Sequence, residues 1–520
     1  MIMEGFAAVF TDPLLILMVA AGTLVGIIFG AIPGLTATMA VTICLPMTYA
    51  MSDSRAIALL MALYIGGISG GLISSILLNI PGTPASMVTA FDGAPMARKG
   101  QAGKALGTGI FYSFLGTVFG LLAMVLISPY LASLALKFSP FEYCALAIFS
   151  LSLVIGLTGK DMLKGLGSAL LGVMLATIGI SKFDSVLRYD FGSVNMQSGF
   201  TQLVVLIGLY AIPEVVGVAM KVHRPKETFE TNAKIDRIHG LGFSFKEFVA
   251  QLKNFFIAAI LGTGIGILPG IGGGTAGIMS YTTIKNTSKY PEKFGTGVQD
   301  GIVASETANN AAIGGAMIPL LTLGIPGDGV TAILLGSLII HGVAPGPTIF
   351  EKNGALMYAI YLIIALSALF MMIFMYGGLK GFIKILSAPQ NFLMPIILAM
   401  CCVGAFGSAN RIFDVWCLLA FGLVAVLIKA LKMPAMPVAI GFILGPIFEE
   451  YLRRAEGYIY KPTRIDGVKT MVFKWEELLN HPIALVILAV TVVVIIVSIR
   501  TNAKAAKREA AAQQEAAQNE

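Results

Sequence analysis

Long apolar segments separated by short polar stretches run through almost the whole chain, and many reach the length of about 20 residues that a membrane-crossing helix needs. The candidate spans of the first half are residues 14–30, 56–78, 105–128, 141–157, 163–180 and 202–220. Those of the second half are residues 254–268, 302–323, 330–344, 354–376, 391–408, 412–430, 434–448 and 482–499. The segments do not alternate apolar and polar positions as barrel strands do. The pattern therefore predicts an all-α polytopic membrane protein with about 10–14 spans.

The longest polar stretch between apolar blocks lies near the middle of the chain, at residues 221–253, and is rich in Lys and Arg. We interpret it as a linker between an N-terminal transmembrane repeat, residues 1–220, and a C-terminal one, residues 254–500. A polar tail, residues 501–520, follows the last span.

Glycine and proline interrupt two apolar segments of the first half, and both interruptions recur in the second half in the same order. The matching pairs are residues 30–36 with 266–272, 79–84 with 324–329, and 92–95 with 341–345. Pro33 and Pro269 are 236 positions apart, and Pro81 and Pro326 are 245 apart. Three motifs at nearly one offset indicate an internal duplication. Matching breaks in two hydrophobic halves are typical of transporters built from inverted repeats, with the binding site at the breaks.

The breaks have a structural consequence inside a membrane. Proline removes a backbone donor, and glycine permits conformations that other residues adopt at a cost. Because unwound backbone at membrane depth must be covered by protein or water, residues 31–50 and 269–284 are expected to form broken or re-entrant helices that face an internal cavity. Residues 79–97 and 324–347 are expected to form hairpin tips of the same kind.

Free N–H groups at helix starts attract anions without any basic side chain, and small hydroxyl residues add further donors. A ring of such donors suits a carboxylate substrate, whereas helix kinking and close glycine packing are the alternative. The predicted substrate-binding residues are Pro33, Gly34, Thr36, Thr38, Asn79, Pro81, Gly82, Thr83, Pro269, Gly270, Gly272, Gly273, Thr275, Pro326 and Gly327.

The most polar run inside an apolar block is residues 305–310. A carboxylate within a span is costly, so Glu306 is a functional candidate, with the Asn309 and Asn310 amide oxygens as further ligands of a hard cation. Asp328, beside a hairpin tip, is the fourth candidate, and like Asp92 it could instead cap a helix. These oxygens could coordinate a cation such as sodium, and the coupling ion is predicted to be sodium or a proton. The structural alternative for the run is a helix cap at the mouth of a span.

Composition changes the picture little. The chain is 57% hydrophobic and 12% charged, against about 25% charged in soluble domains. Its net charge of +7 relates to loop topology rather than to nucleic acid. The five cysteines have no metal-ligand spacing. Ser69 lies in a GxSG motif, which leaves an intramembrane serine hydrolase as an alternative in another class, with His341 as its only apolar-block base.

These motifs resemble the TctA family, the large membrane subunit of tripartite tricarboxylate transporters, over about residues 14–500. The stretches that carry the resemblance are residues 30–36, 78–82, 92–98, 306–310, 323–327 and 341–347. Asp328 departs from the small hydroxyl residue expected there, which bears on the substrate.

The resemblance implies a multi-pass protein of the bacterial inner membrane that is not an enzyme and needs no organic cofactor. It implies sodium- or proton-driven uptake of a di- or tricarboxylate such as citrate, with an uncoupled channel-like permease as the alternative. The implied partners are a small four-span membrane subunit (TctB-like) and a periplasmic substrate-binding protein (TctC-like).

Overall fold

The computed structural model describes residues 2–33, 35–156, 162–181, 183–221, 240–386, 390–465, 468–473 and 475–518. Most of these are helical, and eight helical runs among them are long and apolar enough to cross a membrane. The all-α polytopic fold is therefore confirmed. Several other predicted spans are shorter apolar helices of 10–17 residues.

Ten helices form the first half of the chain. They are α1 Ile2–Phe10, α2 Pro13–Ala31, α3 Ala37–Cys44, α4 Asp53–Leu78, α5 Thr89–Met96, α6 Ala102–Ala135, α7 Pro140–Gly156, α8 Met162–Ala176, α9 Val194–Gln197 and α10 Gln202–Lys221. Ten more form the second half. They are α11 Phe245–Ile267, α12 Gly272–Thr287, α13 Gln299–Leu323, α14 Gly329–Ile340, α15 Ile349–Lys352, α16 Gly354–Leu386, α17 Gln390–Ala409, α18 Ile412–Ala430, α19 Ala435–Ile459 and α20 Pro482–Gln518.

Short turns and two small hairpins complete the described secondary structure. The 3-10 turns are Leu45–Ala50, Pro84–Ser86, Pro291–Lys293 and Trp475–Asn480, and a π turn, Ala97–Gln101, joins α5 to α6. The antiparallel strand pairs are β1 Gly179–Ile180 with β2 Leu187–Arg188, and β3 Tyr460–Ile465 with β4 Val468–Phe473.

The chain divides into two compact units. The first comprises Met1–Ala135 and Leu203–Val426 and contains both sets of interrupted helices. The second comprises Leu136–Gln202 and Leu427–Glu520, where α19 packs on α7 and α8, and α20 packs on α7. An ion pair of 2.6 Å between Arg188 and Glu449 joins β2 to α19 in the second unit.

The helix breaks occur at the predicted motifs. Ile32 and Leu268, which directly follow α2 and α11, are both extended, so each helix stops just before its proline. The ends of α4 and α13 also match, because Asn79 and Gly324 both take the left-handed conformation, with φ of 56° and 71°. The same backbone device thus ends the corresponding helices of the two halves.

Two of the differences between the predicted and the observed boundaries bear on the fold. The stretch predicted as a span at residues 330–344 is α14, a helix of 12 residues. At 1.5 Å per residue such a helix is about 18 Å long, too short to cross a bilayer, as befits one arm of a hairpin. The range assigned to the polar linker is helical from Phe245, where Ser244 and Glu247 form a capping box. The part of that linker at residues 222–239 lies outside the described residues.

Glycines let the backbones of neighbouring helices touch. A Cβ at Gly22, Gly26 or Gly30 of α2 would lie 2.7, 2.5 or 2.2 Å from the carbonyl oxygens of residues 59, 63 and 67 in α4. In the second half, a Cβ at Gly262 or Gly266 of α11 would lie 2.3 or 2.5 Å from those of residues 308 and 312 in α13. Because partner numbers rise together, α2 runs parallel to α4 and α11 parallel to α13.

Helices α4 and α13, which occupy corresponding positions in the two halves, run in opposite directions, as their contacts with α6 show. Gly116 and Gly120 contact residues 307 and 311, so α6 and α13 are parallel. Ser69 of α4 lies beside Asn310, whereas the later residue Leu72 contacts Gly109, near the start of α6. Moving forward along α4 therefore means moving backward along α13, as an inverted repeat requires.

The close approach of α11 to α13 generates a stability prediction. We expect Gly266→Ala to lower the free energy of unfolding by about 1–3 kcal/mol, because its methyl group would be forced against the carbonyl of residue 312. Gly264→Ala is the matched control, since no atom lies within 4 Å of a Cβ there. It should be neutral or slightly stabilising, as Ala favours helix over Gly. Thermal unfolding of the purified variants in detergent measures both, and equal midpoints would contradict the packing described.

Candidate functional site

The interrupted segments of the two halves meet inside the first unit. A Cβ at Gly274, in the first turn of α12, would lie 3.3 Å from the carbonyl oxygen of Pro84 in the turn Pro84–Ser86. A Cβ at Gly329, the first residue of α14, would lie 3.8 Å from the hydroxyl of Thr38 in α3. Two helix starts of the second half therefore face the interrupted segments of the first half.

The two interrupted segments of the second half, around residues 269–272 and 324–329, depend on glycine for their backbone conformation and close packing. We call them together the second-half tip. Gly270 and Gly272 have φ of 80° and 70°, which side chains other than glycine rarely adopt. The Gly270 N–H donates to the Gly327 carbonyl over 2.9 Å and ties the two interrupted segments together. A Cβ at Gly327 would lie 2.6 Å from the Ala316 methyl group, which holds this tip against α13.

The first-half tip has the corresponding contact. A Cβ at Gly82 would lie 2.2 Å from the Gly30 carbonyl oxygen, just as one at Gly327 would lie 2.8 Å from that of Gly266. Thr83 and Ser86 form a capping box at the turn Pro84–Ser86, and Ser75 of α4 donates to Ser86 over 3.0 Å. The Thr83 hydroxyl predicted at this tip is therefore used within the turn, which Ser75 and Ser86 hold to α4.

Asp328 is the N-cap of α14 and belongs to a network of hydroxyl groups. Its carboxylate accepts bonds from the Thr331 N–H and hydroxyl, both at 2.8 Å, in a capping box. Its other oxygen accepts a bond of 2.5 Å from the Tyr64 hydroxyl. The Tyr210 hydroxyl lies 3.6 Å from the position of a Cβ at Gly329. The capping alternative for Asp328 is thus observed.

Glu306 lies in the third turn of α13, inside the helix, and is completely buried. Its carboxylate accepts bonds from the hydroxyls of Thr89 and Ser113 and lies 3.4 Å from the amide nitrogen of Asn310. Among the described residues no Lys, Arg or His forms an ion pair with it. A buried carboxyl group with no positive partner is costly unless it binds a proton or a cation. Its burial in mid-helix excludes a cap at the mouth of a span.

The two asparagines that follow Glu306 point to different neighbours. The Asn310 amide oxygen accepts bonds from Ser69 and Thr117, at 2.7 and 3.5 Å, on the side of Glu306. Asn309 instead faces α12, where its amide oxygen would lie 2.3 Å from a Cβ at Gly273. The structure thus groups Glu306 with Asn310, and Asn309 with the start of α12. Neither Asn309 nor Asp328 shares a recorded hydrogen bond with Glu306.

The remaining predicted residues vary in their placement. Thr36 caps α3 by accepting a bond from the Met39 N–H over 3.1 Å, and Thr38 faces Gly329 as described. Pro269 and Pro326 are buried at their tips, and Thr275 is half-buried in the first turn of α12. Asn79 is exposed where α4 ends, away from the buried groups. Gly34 lies outside the described residues.

Sequence reasoning missed the side chains that surround the acids. These are Tyr64 and Tyr210 near Asp328, and Thr89 and Ser113 at Glu306. Ser113 and Thr117 are one helical turn apart on α6 and face α13 together, a polar pair in an apolar helix that could have been noticed. The tyrosines gave no comparable signal, because aromatic residues are common throughout such spans.

Asp92 and His341 attach the hairpin arms to loops of the opposite half. Asp92 accepts bonds of 2.9, 2.8 and 2.9 Å from the N–H groups of Gly295, Gly297 and Val298, just before α13. The Tyr281 hydroxyl donates to its other oxygen. Asp92 therefore accepts bonds from backbone N–H groups just before α13, on a distant segment of the chain, rather than from the start of its own helix.

His341, at the end of α14, has its ring nitrogens 2.9 Å from the Ser337 carbonyl oxygen and 3.1 Å from the Thr48 carbonyl oxygen, in the turn before α4. Each ring nitrogen therefore faces a backbone carbonyl oxygen, which can only accept a hydrogen bond. Ser69 donates to the Asn310 amide, which is no general base. The serine–histidine pair that a hydrolase would need is thus not formed by these residues.

The sequence comparisons agree with this architecture. Residues 16–440 match the family model described as the tripartite tricarboxylate transporter TctA family. The chain belongs to the TctA family. No solved structure matches it significantly.

Two relatives of this TctA-family chain come from Agrobacterium vitis. The first, called an uncharacterized 52.8 kDa protein in the TAR-I ttuC' 3' region, is 32% identical over 495 residues, 95% of each chain. The second, called an uncharacterized protein in the TAR-II ttuC' 3' region, is 36% identical over 194 residues, which cover 37% of this chain and 80% of the relative. Membership of a transporter family makes this a multi-pass membrane component of a tripartite system.

The Asp92 contacts generate a prediction about local stability. We expect Asp92→Asn to speed hydrogen exchange at the amides of Gly295, Gly297 and Val298 by about tenfold to a hundredfold, because bonds to a charged acceptor are worth about 1.5–3 kcal/mol. Hydrogen-exchange mass spectrometry of the loop measures this. The control is Glu292→Gln, an exposed acid in the same loop, which should leave exchange unchanged. Equal exchange in all three proteins would show that Asp92 does not hold the loop.

Proposed function

We propose that this protein takes up an organic carboxylate, a di- or tricarboxylate such as citrate, across the bacterial inner membrane by cation-coupled symport. The observation that carries the proposal is the meeting of interrupted helices from both halves beside the buried acid Glu306. The substrate site comprises the tips around Gly270–Gly273 and Gly327, together with Thr38 and the first-half tip. Free N–H groups at the start of α12 supply the positive end that a carboxylate needs.

The proposed coupling site is Glu306 with Asn310 and the hydroxyls of Thr89 and Ser113. Carboxylate and hydroxyl oxygens suit a hard cation such as sodium, and a buried carboxyl group with no ion-pair partner among the described residues suits a proton equally. Sodium and proton coupling therefore share one residue and differ in the ion that drives uptake. Asp328 already serves as the N-cap of α14 and accepts bonds from Thr331 and Tyr64, which favours Glu306 as the coupling acid.

The proposed complex follows from family membership. It includes a small four-span membrane subunit and a periplasmic substrate-binding protein that delivers the carboxylate. A channel-like permease without coupling is the alternative within transport. The buried Glu306, which forms no ion pair among the described residues, argues against it, since an uncoupled pore gains nothing from such a costly group.

Reconstitution tests the proposal directly. The chain and its small subunit in proteoliposomes should take up labelled citrate, or the acid that the cognate binding protein holds, when that binding protein and an inward sodium or proton gradient are supplied. Uptake should fall to background when the binding protein is omitted. Uptake that persists after both gradients are collapsed would favour the channel-like alternative, and full-rate uptake by the chain alone would contradict the three-component mechanism.

A single substitution tests the coupling site. We expect Glu306→Gln to raise the half-saturating concentration of the coupling cation about tenfold, because a contact to a charged group worth about 1.5–3 kcal/mol is lost. Selectivity among carboxylates should change less, since the acid binds the cation rather than the substrate. Initial uptake rates measured against sodium concentration, and separately against pH, identify the ion.

The control for this test is Glu351→Gln, which neutralises an exposed acid of α15 outside the proposed site. Its two titration curves should match those of the unmodified protein. If Glu306→Gln also leaves both curves in place, the coupling site lies elsewhere and Glu306 serves only to pack α13 against α6.

A further inference from the structure

Asn309 is the most unusual polar group of the site, because neither atom of its side-chain amide is paired. The residue is 1% exposed, and both its amide nitrogen and its amide oxygen lack a hydrogen-bond partner among the described residues. Leaving a buried donor and acceptor unpaired costs about 1–3 kcal/mol for each group. Such a residue in mid-helix points to a ligand that supplies the missing partners.

The amide is directed at the start of α12. Its oxygen would lie 2.3 Å from a Cβ at Gly273, so only glycine there leaves room beside it. The N-cap position of α12 is Ile271, which offers no side-chain acceptor to the free N–H groups of the first turn. A helix of 16 residues thus begins next to an unpaired donor–acceptor pair.

The two sides of this helix start differ in chemistry. Gly272 approaches Asp328, whose Cβ would lie 3.3 Å from a Cβ added at that glycine. The Asp328 carboxylate already accepts bonds from Thr331 and Tyr64, and a carboxylate offers a ligand no donor. The Asn309 side offers one donor and one acceptor. A ligand that uses everything available therefore has an anionic end for the N–H groups of α12 and, next to it, a group that both donates and accepts.

We infer that Asn309 recognises a hydroxyl group adjacent to the substrate carboxylate, so that the preferred substrates are 2-hydroxycarboxylates. This inference rests on the proposed function, since it names the substrate class of that same site. The carboxylate accepts from the N–H groups at the start of α12. The hydroxyl donates to the Asn309 amide oxygen and accepts from its amide nitrogen, which satisfies both buried atoms at once.

Discrimination between hydroxy acids and deoxy acids follows from the cost of leaving the Asn309 side-chain amide without hydrogen-bond partners. A deoxy acid of the same length would bind its carboxylate equally well but would displace water and leave Asn309 unpaired. Sites that pair buried polar groups with a substrate hydroxyl reject the analogue that lacks it. We expect hydroxy acids to bind at least about tenfold more tightly than their deoxy counterparts.

The test uses the purified full-length chain and two matched pairs of acids, malate with succinate and citrate with tricarballylate. Each acid is titrated against the midpoint of thermal unfolding at fixed sodium concentration and pH, which yields an apparent dissociation constant from ligand stabilisation. In the unmodified protein, malate or citrate should bind at least about tenfold more tightly than its deoxy partner. In Asn309→Leu, the two members of each pair should bind alike.

Asn309→Ala provides a second variant, should leucine disturb the packing of α13, and the unfolding midpoint without acid reports whether either variant folds. The matched control is Ser280→Ala. It removes a buried hydroxyl of α12 that, like the Asn309 amide, has no hydrogen-bond partner among the described residues, about two turns beyond Gly273. It should keep the preference for hydroxy acids in full.

The outcomes separate this inference from the proposed function. Equal binding of hydroxy and deoxy acids to the unmodified protein overturns the role of Asn309 and leaves carboxylate transport intact. A preference that survives in both Asn309 variants also overturns it. If none of the four acids stabilises the unmodified protein, both the inference and the proposed substrate class are overturned.

Discussion

Unwound backbone inside a membrane must be covered by protein, and the first unit is organised around that requirement. Helices α4 and α13 are buried along almost their whole lengths and provide the surfaces that cover the breaks. Glycines allow the cover to be close, since the tips at Gly82 and Gly327 approach the carbonyl oxygens of Gly30 and Gly266. Larger side chains at these positions would separate the layers and leave backbone groups without partners.

The same contacts occur twice with opposite direction, and this explains how the tips meet. A helix pair that is parallel within each half and reversed between halves brings one interrupted segment in from each side. The arms are then fixed by unlike chemistry, since Asp92 accepts from backbone N–H groups whereas His341 meets the carbonyl oxygens of Ser337 and Thr48. Asp92 thus joins α5 to the segment that precedes α13, and His341 joins the end of α14 to the turn that precedes α4. Movement of either arm is thereby linked to the opposite repeat.

The sequence was a good guide to the breaks and a poorer one to side-chain partnerships. Pro33 and Pro269 mark helix ends because proline and glycine act on local backbone, which a sequence displays directly. Whether Asn309 and Asn310 face one neighbour or two depends on helix rotation and on which helices pack against α13, which is decided by tertiary structure. For the same reason the partners of Asp92 could not be foreseen, because they are about 200 positions away along the chain. The division of the chain into two repeats joined by a linker stays a prediction, because the two compact units of the structure do not test it.

The duplication is symmetric in packing and asymmetric in chemistry. At the offset of 245 positions that relates α4 to α13, Glu306 corresponds to Met61, and Asn309 to Tyr64. The first-half helix thus offers a thioether and a phenol where the second-half helix offers an acid and an amide. A strictly symmetric pair would present two equal anion sites and two equal acids, whose charges would repel across a small space. In the proposed function, restricting the acid to α13 would give one coupling position next to one substrate orientation. An inverted repeat can then present the same pair of groups to either side of the membrane.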